Sequence, residues 1–130
     1  MALDQPVQAL LKAKNFCHVG TLRRDGSAAV VPVWVDTDGD HVVLNSREGR
    51  GWVRNADRDP RVTCTVANAE NPYEYVTIRG HVAERTGDGA VEHIHAMAQK
   101  YFGSQYPLEE GEQWVIFRVA PDHISYRAAE

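Results

Sequence analysis

Residues 30–62 read VVPVWVDTDGDHVVLNSREGRGWVRNADRDPRV, and the way this stretch divides decides the fold. A nearly continuous apolar run up to Asp36 reads as a strand buried on both faces. Pro32 removes one ladder donor there, which marks an edge, a bulge or a point where a ligand approaches. Asp36-Thr-Asp-Gly39-Asp is a turn, and residues 41–45 form the next strand. A glycine-spaced basic loop then enters a short helix around residues 51–56, stopped before Pro60. The two strands deliver Arg47, Arg50 and Arg54 to one corner, with Asn45, Ser46 and Asn55 beside them. Guanidinium forks match phosphate oxygens in two-point geometry, and N–H groups at a helix start add positive potential. Gly49 and Gly51 leave room for a ligand to reach the backbone. The competing reading is a solvated loop whose arginines pair with Glu48, Asp57 and Asp59.

Outward from this corner the chain alternates short strands and turns. Residues 4–14 form an amphipathic helix capped by Asp4, with Pro6 in its first turn and Val7, Leu10 and Leu11 on one face. Residues 16–22 make a strand, and Arg24-Asp25-Gly26 the hairpin turn that leads to the run ending at Asp36. Downstream, residues 61–67 alternate Val62, Cys64 and Val66 with threonines, as a half-buried strand does. Residues 73–85 are a long strand with Tyr75, Thr77, Arg79 and His81 on one face and Val76, Ile78, Gly80 and Val82 on the other. Asp88 caps the longest helix, where Val91, Ile94, Ala98, Tyr101 and Phe102 recur at helical spacing before Gly103 stops it. An acidic loop at 104–111 leads to a strand at 113–119 and, past Pro121, to a terminal extended piece at 123–127. The expected fold is mainly β: one domain over residues 1–130, a barrel of six or seven antiparallel strands with two or three helices covering its open parts.

Composition narrows the function. The hydrophobic share of 43% and charged share of 25% are those of a globular protein. A net charge of −4 argues against a general nucleic-acid binder, yet five arginines lie between Arg47 and Arg61, so a local anion site fits an acidic chain. No window approaches the ~20 apolar residues of a membrane span, and the start of the chain lacks the pattern of a secretory signal, so a cytoplasmic location is expected. Cys17 and Cys64, 47 positions apart, read as small apolar packing groups. His93 and His95 point to different faces of one helix, the other histidines are scattered, and no metal site is expected. There is neither a Walker loop nor a dinucleotide fingerprint, and no G-x-S-x-G elbow. The aromatics Trp34, Trp52, Tyr73, Tyr75, Tyr101 and Trp114 are candidates to line a pocket for a flat ligand, with core packing the competing fate.

Five segments carry a family resemblance: GTLRRDGSAAVVPVWV, DGDHVVLNS, VRNADRDPRV, NPYEYVTIRGHVAE and AMAQKYFGSQYP. In this order, over nearly the whole chain, they resemble the pyridoxamine-phosphate-oxidase-like split β-barrel family, and within it the deazaflavin-dependent oxidoreductase branch. The resemblance implies a homodimer with a cofactor between the subunits, the phosphate at Asn45, Ser46, Arg47 and Arg50, and the ring along Val31, Pro32, Val33 and Trp34. Where the branch using coenzyme F420 commonly has a lysine, this chain has Trp52, so Arg50 or Arg54 would carry that charge. Arg54, Arg58 and Arg61 suit the acidic tail of a deazaflavin. The implied activity is hydride transfer from reduced F420 to a small unsaturated substrate, with Tyr73 or a histidine as a candidate proton donor. The alternatives are an FMN-dependent oxidase or reductase, or a protein that binds a cofactor without turnover.

Overall fold

The computed structural model describes residues 2–129. Seven strands form one antiparallel sheet: β1 (Cys17–Leu22), β2 (Ala28–Val33), β3 (Asp36–Thr37), β4 (Val42–Arg47), β5 (Arg61–Ala67), β6 (Tyr75–Thr86) and β7 (Trp114–Arg127). Their order across the sheet is β2-β1-β5-β6-β7-β4-β3. Three helices join them: α1 (Gln5–Lys12), α2 (Gly51–Arg58) and α3 (Ala90–Phe102). The sheet curls into a split β-barrel.

Its concave side holds the core. Cys17 and Val19 of β1, Val42 and Leu44 of β4, Cys64 and Val66 of β5, Ile78 of β6 and Phe117 of β7 are all at most 1% exposed. Val7, Leu10 and Leu11 from α1, and Trp52, Val53 and Ala56 from α2, close this core at its open sides. Period-two alternation on β5 and β6 makes this possible, because every second side chain faces inward. Both cysteines are free and buried, packed as apolar groups.

A second layer covers the convex side. There α3 sets Ala90, Ile94, Met97 and Tyr101 against Val43, Trp114 and Ile116. Tyr101 locks the layer in place: its hydroxyl donates to the Asn15 carbonyl and accepts from the Val35 N–H.

Several elements differ from the sequence expectation. The run ending at Asp36 is two strands, and β2 alternates exposed with half-buried positions. It pairs only with β1, so it is an edge, which suits Pro32 opposite His18. The cap of α3 is Gly89, at φ 73°, with no side-chain hydrogen bond from Asp88. Asp4 stands at the α1 cap position without its side-chain bond, while Pro6 sits in the first turn as expected. Val91 and Phe102 are 40% and 63% exposed, and Met97 takes the core position instead. The two C-terminal pieces are one strand, β7, with a register shift opposite Arg79 and Gly80. Gly80 is needed there, because a Cβ would stand 2.2 Å from the Ala120 carbonyl oxygen.

Candidate functional site

An open groove of roughly 1310 Å³ runs from the β1–β2 hairpin, past the start of α2, to the contact between β4 and α3. All eleven residues expected to bind a cofactor line it: Val31, Pro32, Val33, Trp34, Asn45, Ser46, Arg47, Arg50, Trp52, Arg54 and Asn55. They do so because β2 and β4 bracket one opening, and α2 begins directly beyond β4.

The arginines of this groove are not equivalent. Arg47 is engaged: Nη1 donates to Glu112 Oε2 at 2.7 Å, and the guanidinium stacks 5.9 Å from the Trp114 ring centre. That bond to Glu112 holds the Arg47 pKa above its ordinary value. Arg58 donates to the Leu22 carbonyl at 2.8 Å and to Asn55 Oδ1 at 2.9 Å. Arg50 and Arg54 have no hydrogen-bonding or ionic side-chain partner among the described residues. The acids expected to neutralise the loop are taken elsewhere. Glu48 and Asp57 both grip Arg85 of β6, and Asp59 pairs with Arg61 at 2.7 Å.

Helix geometry adds to this. The N-cap of α2 is Arg50, with no side-chain cap bond and no acid in the first turn. Its leading N–H groups have no intrahelical acceptor, and the residues that carry them, Gly51 and Trp52, line the groove. Gly51, at that entrance, has nothing within 4 Å of where a Cβ would stand. Among the described residues, six arginines line the groove against one carboxylate, Asp57, although the chain carries a net charge of −4. The site is a local positive field on an acidic protein.

At the other end the wall is aromatic. Trp34 stacks on Tyr101, with centroids 4.9 Å apart and planes at 4°, and meets Phe102 and Tyr106 edge-on. Tyr106 packs in turn on Trp114. The Trp52 indole is 7% exposed and packs against Phe117, so it touches the groove from within the core. Asn55 is tied to Thr21 and Arg58. Ser46 is half-buried at the end of the inward face of β4.

Two buried polar atoms lack a partner among the described residues, and both belong to residues that line this groove: Asn45 Oδ1 and Trp114 Nε1. Around Asn45 lies a small network. Its Nδ2 donates to the Ala90 carbonyl at 2.9 Å and to His93 Nδ1 at 3.0 Å. His93 Nε2 meets Asp36 Oδ2 at 3.0 Å, and Lys12 donates to Asp36 Oδ1 at 2.9 Å. Burial alone would raise the Asp36 carboxyl, but bonds from His93 and Lys12 outweigh it and hold the pKa well below the ordinary range.

Sequence reasoning missed Phe16, Arg23, Arg24, Ile94 and Tyr106, which also line the groove. Arg24 was legible only as part of a turn, and Tyr106 lies in a loop without periodicity. Tyr73 is 74% exposed and outside the groove, and no histidine lines it among the described residues. Nor do those residues hold three or more His, Cys, Asp or Glu grouped to bind a metal. No helix of the described residues is long and apolar enough to cross a membrane.

The sequence pattern of pyridoxamine 5'-phosphate oxidase matches residues 3–128. The chain belongs to the pyridoxamine 5'-phosphate oxidase family. Among solved structures it resembles an F420 reductase at 27% identity and a TM-score of 0.84, covering 95% of this chain and 98% of that one. General Stress Protein 26 from Bacillus anthracis str. Sterne has the same fold at 12% identity and a TM-score of 0.73, covering 97% and 94%. No curated protein sequence matches significantly.

Proposed function

We propose that this groove holds a phosphorylated flavin-type cofactor, F420 ahead of FMN, and that the protein is an oxidoreductase acting on a small unsaturated substrate. The observation that carries this reading is the pair Arg50 and Arg54, without side-chain partners, beside the uncapped start of α2. Unpaired guanidinium groups beside a helix start suit a ligand that supplies the opposite charge. The similarity to an F420 reductase over 95% of the chain favours the deazaflavin.

The donor set fits such a cofactor. Arg50, Arg54 and the α2 N–H groups would hold the phosphate. Val31 and Val33 offer an apolar strand face with Pro32 on the other side of the same edge strand, and Trp34, clamped by Tyr101, would border the ring. Arg23, Arg24 and Arg58 extend the positive field beyond the phosphate, which suits an acidic tail. When bound, the reduced ring supplies the hydride; the protein's part is to orient ring and substrate and to exclude water. The exposed edge of β2, with Val30 63% exposed, would be covered by a second copy, so the working form is a homodimer.

Titration of the purified protein with F420 and with FMN, followed by fluorescence, tests the reading. F420 is expected to bind the more tightly of the two. If neither binds below about 100 µM, roughly −5.5 kcal/mol, the oxidoreductase reading fails.

A further inference from the structure

The amide of Asn45 has a fixed sense. Its Nδ2 lies 2.9 Å from the Ala90 carbonyl, which only accepts, so exchanging the two amide atoms would set one acceptor against another. The second Nδ2 hydrogen goes to His93 Nδ1, which must therefore accept and carry no proton. The ring proton of neutral His93 then sits on Nε2 and is donated to Asp36. Both Asn45 donors are thus engaged, and the atom left over is a buried acceptor, Oδ1. A residue in this state cannot donate to a phosphate. On the same face, one diagonal step away on β7, Trp114 Nε1 is a donor left over in the same way.

We propose that Asn45 reads the phosphate-free part of the ligand, its Oδ1 accepting a hydrogen bond from a ring N–H or a polyol O–H, and that His93 and Asp36 are positioning residues that fix it in that sense. This rests on the groove being a cofactor site. The phosphate is then left to Arg50 and Arg54, and the ligand's orientation along the groove follows: anion toward α2, hydrogen-bonding ring or polyol groups toward α3.

The test compares F420 with its phosphate-free deazariboflavin chromophore, alongside the nitrogen spectrum of the free protein. The ¹⁵N shifts of neutral His93 should show Nδ1 bare and Nε2 protonated. Asn45→Leu should weaken both ligands by the same factor, about tenfold. His93→Ala should weaken both by about threefold, and His93→Asn, whose carbonyl can stand where Nδ1 stood, should recover part of that. A loss confined to the phosphorylated ligand, or a proton on His93 Nδ1, would overturn the proposal; the second readout needs no variant to fold. If the wild-type protein binds neither ligand, the cofactor reading itself has failed, and the proposal with it.

Discussion

Arg50 and Arg54 differ from the other α2-side arginines of the groove, Arg47 and Arg58, in having no side-chain partner among the described residues, and that difference sets what their removal does. Arg50→Ala takes away a charge-assisted bond and leaves no buried partner behind, so folding should hardly change. Cofactor affinity should fall by about 1.5–3 kcal/mol, roughly tenfold to a hundredfold. Arg50→Lys should recover only part of this, since an ammonium lacks the fork. Affinity unchanged within about twofold would make the loop solvated charge. Lys100 gives a second test, on stability. Burial lowers its pKa to about 8, and its ammonium donates to the Val35 carbonyl at 2.6 Å and the Leu11 carbonyl at 3.1 Å. Because the unfolded chain holds that proton to higher pH, the burial penalty is full below pH 8 and is relieved as pH rises above it. Urea midpoints of wild type should therefore climb relative to Lys100→Met from about pH 8 to pH 9.5; parallel curves would contradict this. At this scale the arginines were legible in the sequence, because their type and spacing declare them. The setting of Asn45 was not, since His93 lies 48 positions away and only the packing of α3 on β4 brings them together.

Among the elements, α3 does the most to shape the site's aromatic end. Tyr101 anchors it to Asn15 and Val35 and stacks on Trp34, so one side chain joins the helix, the end of β2 and the groove wall. Tyr101→Phe keeps the ring but leaves the buried Val35 N–H and Asn15 carbonyl short of a partner. Stability should drop by about 1–3 kcal/mol in urea unfolding, and ligand affinity should fall as Trp34 loosens. A variant as stable as wild type would show that water satisfies both groups. Strand patterns were legible here wherever one face alone is buried, as on β5, whose bounds match the expectation. They misled where apolar residues continue without alternation. The run into β3 reads as doubly buried because Val30, Val31 and Val33 are apolar, but position at the sheet edge, not residue type, decides exposure. The α3 cap misled for a related reason: Asp88 is a good capping type, yet Gly89 in the left-handed region turns the chain one residue later.

For the whole molecule, the antiparallel sense of the strands followed from turns and alternation, and the split barrel followed from the family resemblance; the strand total agrees only because one expected strand is two and two expected pieces are one. How the sheet curls to bring β2, β4 and α2 around one opening is a long-range property that no local pattern encodes. The exposed edge of β2, with Pro32 and Val30 outward, is the expected seat of the second subunit. A homodimer burying on the order of 2,000 Å² should sediment at twice the 14.5 kDa chain mass at micromolar concentration; a stable monomer would contradict a site shared between subunits. The central claim, that the arginine end of the groove grips a cofactor phosphate, is tested most directly by the affinity that the phosphate adds. Dissociation constants for F420 and its phosphate-free chromophore, with FMN and riboflavin in parallel, give that ratio. At least about tenfold tighter binding of one phosphorylated form is predicted, collapsing toward parity in the Arg50→Ala, Arg54→Ala double variant. Equal affinity with and without the phosphate in the wild-type protein would contradict it.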